Sequence, residues 1–103
     1  MKNFKPYFAV IFTSTQTGYT EGYTEMTNKM EALAKQQKGY IGIESARNDL
    51  GITVSYWQSL DAIKKWKANL EHLFAQQKGR EQWYNWYNVR ICKVEREYEF
   101  KLG

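Results

Sequence analysis

The stretch "ITVSYWQSLDAIKKWKANLEHLF", Ile52 to Phe74, changes its period halfway along. Ile52, Val54 and Tyr56 alternate with Thr53, Ser55 and Trp57, which is the two-residue repeat of a strand. Beyond Gln58 the spacing lengthens. Ala62, Trp66, Leu70, Leu73 and Phe74 make the apolar stripe of an amphipathic helix. Ser59, at the junction, has the short hydroxyl that caps a helix start, and Asp61 falls in the first turn, where a carboxylate meets the positive end of the helix. A strand thus runs directly into a helix that extends over residues 59–79.

Working outward, "YIGIESAR" (40–47) and "ITVSYWQ" (52–58) read as two strands joined by the turn "NDLG", a hairpin. Upstream, Tyr23, Met26, Met30, Leu33 and Ala34 step by threes and fours, predicting a helix from Tyr23 to Gln37 that begins near Thr20 or Gly22. Gly39 can close it in a left-handed conformation. The preceding "TSTQTGYTEGYTEM" reads as a loop, its tandem GYTE too brief for a repeat protein. "YFAVIFT" (7–13) reads as the first strand. Downstream, "GREQWYNWYN" reads as a short helix or turn, and "VRICKVEREYEF" (89–100) as the last strand.

Strand, helix, strand, strand, helix, strand is the split βαβ, ferredoxin-like pattern. The predicted architecture is an α+β ferredoxin-like βαββαβ fold in one domain over 1–103, its antiparallel sheet carrying helices on one face. Yet the first and last strands are apolar at both parities, so the bare face also needs a cover. A second copy of the same sheet, related by a two-fold axis, supplies it, and a homodimer is expected.

The composition narrows the function. Of 103 residues 17% are aromatic, and Trp and Tyr suit pocket walls and interfaces because each joins a large apolar body to a polar handle. The net charge of +4 is mild and its basic residues are interleaved with acids, as in "KVEREYEFK", so no nucleic-acid partner is expected. Lys64, Lys65 and Lys67 read as a solvated helix face. Cys92 stands alone, which leaves no internal disulfide, and one histidine without clustered carboxylates does not build a metal site. No apolar run nears the ~20 residues that span a bilayer, and the N-terminus has no apolar leader core, so no membrane is expected and the location reads as cytoplasmic.

"ESAR", "GITVSYWQSLDAIKKWK", "EH" followed by "AQ", then "GREQWY" and "Y-x-V-R" resemble the antibiotic biosynthesis monooxygenase family over about residues 7 to 98. The resemblance implies a dimeric α/β barrel, with two ferredoxin-like sheets packed face to face and a pocket in each protomer between sheet and helices. Some members oxidise anthrones or quinols with O2 and no metal or flavin, and others bind and degrade haem.

For cofactor-independent oxygenation, a small planar aromatic must lose a proton, stack against flat walls and be shielded from water. The family's pattern places an Asn and a Trp on the second helix and a tyrosine further along. Trp66 matches the Trp, and His72, the only histidine, falls near the tyrosine as candidate proton acceptor. Ala62 stands where the Asn is expected, leaving Asn69 as the nearest substitute. Trp57, Trp83, Tyr84, Trp86 and Tyr87 are candidate pocket walls, and Arg47 or Arg80 could hold an acidic group. On an ideal helix His72 lies about 120° from Trp66, at the border of the stripe, where a half-exposed helix residue is the plainer reading. Haem is disfavoured: the resemblance to the haem-degrading members implies a helical His about ten residues after the Trp and an Asn on the first strand, whereas Gln76 stands at that spacing here and "YFAVIFT" has no Asn. No cofactor is expected. A non-catalytic dimeric binder of an aromatic metabolite is the alternative.

Overall fold

The computed structural model describes residues 4–75 and 80–103, with the side chains at positions 74, 75, 80 and 81 outside that description. It contains β1 (Tyr7–Gln16), α1 (Tyr23–Lys35), β2 (Tyr40–Arg47), β3 (Gly51–Trp57), α2 (Leu60–Ala75), a short α3 (Arg80–Trp83) and β4 (Tyr84–Val94). The four strands form one sheet in the order β2-β3-β1-β4, every pair antiparallel. This is the ferredoxin-like α+β fold. The end of the helix predicted over 59–79, including Gln76, lies outside the described residues.

Both boundaries of the last strand differ from expectation. "WYNWY" is not a helix or turn throughout: Trp83 ends α3, and β4 begins at Tyr84, five residues before Val89. A register shift at Thr15/Gln16, which pairs Thr15 with Trp86 and Gln16 with Tyr84, leaves Asn85 bulged out of the ladder. At its other end β4 stops at Val94 rather than at Phe100.

The pairing register lays the helix-covered face out in four rows. They are Tyr40–Trp57–Phe8–Lys93, Ile43–Ser55–Val10–Ile91, Ser45–Thr53–Phe12–Val89 and Arg47–Gly51–Ser14–Tyr87. The core sits over the first two rows, where Ala34, Trp57, Ala62, Ile63 and Trp66 are buried against Phe8, Val10, Met30, Leu33, Tyr40 and Leu70. Trp57 and Trp66 stack at 5.6 Å with 25° between their planes. Each such ring removes roughly 150–250 Å² from water, about 4–6 kcal/mol of gross stabilisation.

Local chemistry fixes the helices. The Ala62 amide donates to Ser59 Oγ at 3.0 Å, the expected cap of α2. Gly22 precedes α1 with φ 81°, and Gly39 follows it with φ 91°. Gly39 also has no room for a side chain, since a Cβ there would stand 2.7 Å from the Ala62 Cβ.

The opposite face is uncovered in the protomer. Ile52 and Trp86 are exposed there, Cys92 is exposed, and Tyr7 meets Tyr56 edge-on at 5.9 Å. Beyond the sheet, Tyr98, Phe100 and Leu102 alternate with charged residues and are 84–89% exposed. No described helix is long and apolar enough to cross a membrane.

Candidate functional site

The fourth row ends the helix-covered face with a charge. Arg47 leaves β2, crosses Gly51 of β3 and donates from Nη2 to Ser14 Oγ of β1, a side chain wholly buried. The crossing requires glycine for space rather than for φ, because a Cβ at 51 would overlap the guanidinium itself. Arg47 Cζ lies 5.9 Å from the ring centre of Tyr23, within cation–π range. Among the described residues its buried Nη1 has no hydrogen-bond partner and no carboxylate comes within ion-pair distance of Arg47.

Beside this charge runs a chain of rings. Trp83 meets Tyr23 edge-on at 5.6 Å, Tyr23 meets Tyr84 at 6.0 Å, Tyr84 meets Phe12 at 5.5 Å, and Phe12 stacks on Tyr87 at 5.3 Å. Trp83 is 2% exposed and pins the loop before α1, its Nε1 donating to the Glu21 carbonyl at 2.8 Å. The helices lie over β1, β2 and β3, so the helix side of β4 is left about half open at Tyr87 (46% exposed) and Val89 (49%). Burial pushes the Tyr84 hydroxyl above its ordinary pKa, and a hydrogen bond to Tyr23 pushes it further, against the pull of the Arg47 charge. Tyr84 is therefore a donor at neutral pH. Cation, hydroxyls and apolar rings together suit an electron-rich or anionic oxygen on a flat ligand.

The α2 residues singled out in the sequence stand elsewhere. Trp66, 6% exposed, belongs to the stack with Trp57, whose Nε1 donates to Ser55 Oγ at 2.9 Å. Asn69 is exposed and its amide donates to Gln37 Oε1 at 3.0 Å and to the Lys65 carbonyl at 3.1 Å, tying α2 to the end of α1. His72 is exposed on the last turn of α2, which runs unbroken through Asn69. Of the aromatic candidates, Trp83, Tyr84 and Tyr87 gather on the helix side near Arg47. Trp57 is in the core, and Trp86, 47% exposed, faces the uncovered side. The Arg80 side chain lies outside the described residues.

Ser14, Gly51, Tyr23 and Phe12 were missed by sequence reasoning. The parity of β2 carried a usable signal, since Arg47 shares a face with Ile43, and a glycine directly across the hairpin leaves space over the neighbouring strand. No group of three or more His, Cys, Asp or Glu among the described residues could hold a metal ion.

No family model matches the chain. It is 47% identical over 98 residues to the uncharacterised protein YqjZ of Bacillus subtilis, a match covering 93% of this chain and 86% of YqjZ. Among solved structures it resembles a variant of SnoaB, a cofactor-independent oxygenase from Streptomyces nogalater, with TM-score 0.72 and 10% identity over 91% of this chain and 97% of that one. It also resembles a Nitrosomonas europaea protein provisionally named an antibiotic biosynthesis monooxygenase, with TM-score 0.69 and 12% identity over 88% and 91% of the two chains. The chain thus belongs to one family with YqjZ, and its fold is that of the antibiotic biosynthesis monooxygenases.

Proposed function

We propose that this protein is a cofactor-independent oxygenase that oxidises a small planar aromatic of quinol or anthrone type, acting as a homodimer whose uncovered sheet faces pack together. The observation that carries this reading is the run of rings from Trp83 through Tyr23, Tyr84 and Phe12 to Tyr87, set on the helix side of the sheet next to Arg47. The likeness of fold to SnoaB supports it. For an anthrone the reaction balances without a cofactor. The ring methylene gives up both hydrogens and gains one oxygen atom of O2 as a carbonyl, and the other oxygen atom leaves with those hydrogens as water. The substrate first loses a proton, and the resulting anion is electron-rich enough to pass an electron to O2. The family resemblance assigns His72 as proton acceptor, Trp66 as the rigid backing of the pocket wall and Asn69 as hydrogen-bond donor, although α2 sets His72 and Asn69 on its exposed side and Trp66 in the core stack.

A second reading, a non-catalytic binder of an aromatic metabolite, is supported by one observation. The Asn69 amide already serves Gln37 and Lys65, and so is not idle for an oxyanion.

An oxygen-electrode assay over a panel of quinols and anthrones tests the first reading. We expect one O2 consumed per carbonyl formed, unchanged by chelators, and a fall of about 100-fold or more in His72→Ala. Saturable binding without oxygen consumption would leave the binder reading in place. Unchanged turnover in His72→Ala would remove the role assigned to that residue. Haemin titration of the wild type is expected to give no saturable Soret shift.

A further inference from the structure

The cost of Arg47 suggests what it is for. A guanidinium held among apolar rings loses solvation worth several kcal/mol unless a partner repays it, and one neutral hydroxyl is a poor repayment. The chain nevertheless commits three strands to the arrangement. Gly51 gives up its side chain to make a bed, Ser14 brings a buried hydroxyl to one nitrogen, and Tyr23 covers the cation with its ring. Nη2 is thereby engaged, and Nη1 is left without a partner among the described residues. An arginine oriented in this way, with half of its fork satisfied, is a fixed donor for an anionic oxygen. Tyr84 and Tyr23 add hydroxyls, and Phe12 and Tyr87 add flat apolar surface further along the same run of rings.

We propose that Arg47 forms an anion subsite, and that the ligand is a planar aromatic bearing an ionised oxygen, a carboxylate or a phenolate, on its ring system. This deepens the function proposed above and rests on it for the groove as the place of binding. The requirement for negative charge rests on Arg47, Ser14 and Gly51. Tyr87 and Val89, about half exposed on the helix side of β4, line the approach. In a site of this kind the cation stabilises the ionised ligand, so a hydroxyarene loses its proton more readily when bound than in water.

Intrinsic tryptophan fluorescence of the full-length protein, titrated with 2-naphthoate and with its neutral isostere 2-naphthamide, tests the subsite. We expect the acid to bind at least about tenfold more tightly than the amide, as one charge-assisted hydrogen bond implies. In Arg47→Gln the difference should vanish while amide binding persists. Arg47→Lys, which keeps the charge and loses the fork, should retain part of it, and Gly51→Ala, which dislodges the guanidinium, should reduce it. Thermal melts establish that each variant is folded.

A second arm uses 2-naphthol, whose absorbance reports ionisation. Its bound pKa should fall by about one unit in wild type and not in Arg47→Gln. A phenolate-selective site shifts naphthol and ignores naphthoate; a carboxylate-selective site does the reverse, and either outcome supports the subsite. Equal affinity for acid and amide together with an unshifted naphthol overturns the proposal. A preference that survives Arg47→Gln, or no binding of either probe at millimolar concentration, overturns it too. The two readings fail separately. Anion-selective binding without O2 consumption removes the oxygenase and keeps the subsite, whereas O2-dependent turnover that is intact in Arg47→Gln does the opposite.

Discussion

At one end of the layer between sheet and helices, Trp57 and Trp66 stack under α2, with the Trp57 indole nitrogen bonded to Ser55 and Ala62 pressed against Gly39. At the other end, Tyr23, Tyr84, Phe12 and Tyr87 meet mostly edge to face, and Tyr23 lies against an arginine one of whose nitrogens has no partner among the described residues. Both ends are aromatic and both contain a glycine that makes way for a neighbour. At the first end the neighbour is a short side chain rooted in a helix, and the result is a closed core. At the second it is the far end of a flexible side chain, and the result is a charge set beside half-open rings. Aromatic content alone therefore does not distinguish core from site. What separates them is whether the polar atoms among the rings are satisfied.

The two ends should also differ in what a substitution costs. The largest effect belongs to the closed end: Trp57→Ala removes a fully buried ring and should cost about 3–5 kcal/mol in urea unfolding. A loss below about 1 kcal/mol would mean that this end is not the core. The two glycines come next and should diverge. Gly39→Ala places a Cβ against Ala62 at a φ of 91° and should cost about 1–3 kcal/mol. Gly51→Ala meets only the tip of Arg47 and should cost less than about 1 kcal/mol, because the side chain can swing away.

Arg47→Met sharpens the contrast further. Removing a half-buried charge that has no carboxylate beside it among the described residues offsets the lost bond to Ser14, so stability should change by less than about 1 kcal/mol while anion binding is lost. A loss of 3 kcal/mol or more, on the order of what breaking a true buried ion pair costs, would show that the arginine is a structural member.

The smallest effect is alkaline and belongs to the tyrosines. Hydrogen bonding to Glu44 and then burial push the Tyr56 hydroxyl up to about 12, and burial raises Tyr84. An unfolded tyrosine ionises near 10, so in the folded chain the proton is held to higher pH. The stabilisation is fully present below about pH 10 and is lost as pH rises toward 12. Urea midpoints should therefore be flat from about pH 7 to 9 and decline above about 10, less steeply in Tyr84→Phe. An identical decline in that variant would assign the alkaline limb to other groups.

Most of the architecture was legible because it rests on period. The change from alternation to threes and fours after Gln58 located β3 and α2, and Ser59, Gly39 and the turn before Gly51 punctuated them as local chemistry requires. The start of β4 was not legible. The bulge at Asn85 breaks the alternation of Tyr84, Trp86 and Tyr87, so a strand reads there as an aromatic cluster without period. The C-terminal alternation misled in the other direction, since Tyr98 and Phe100 read as strand but find no ladder within the protomer.

The site was half legible. Arg47, Tyr84 and Tyr87 could be named as pocket residues from their type. Their convergence depends on a row that crosses all four strands, and no local pattern reports a contact between residues 47 and 14. Ser14 carried no signal of its own, because a buried serine in a strand and an exposed one at its end look alike.

The bed that Gly51 makes for Arg47 has a consequence for how this sequence can change over time. The two positions should therefore behave as a single inherited unit. A lineage that acquires any side chain at 51 displaces the guanidinium, and once the arginine is out of place selection no longer holds 47 or the serine beneath it. A lineage that loses the arginine first frees 51 to take the branched residues that strands favour. The pair should therefore be kept or abandoned together among relatives, and the relatives that abandon it should be those whose ligands have lost their charge.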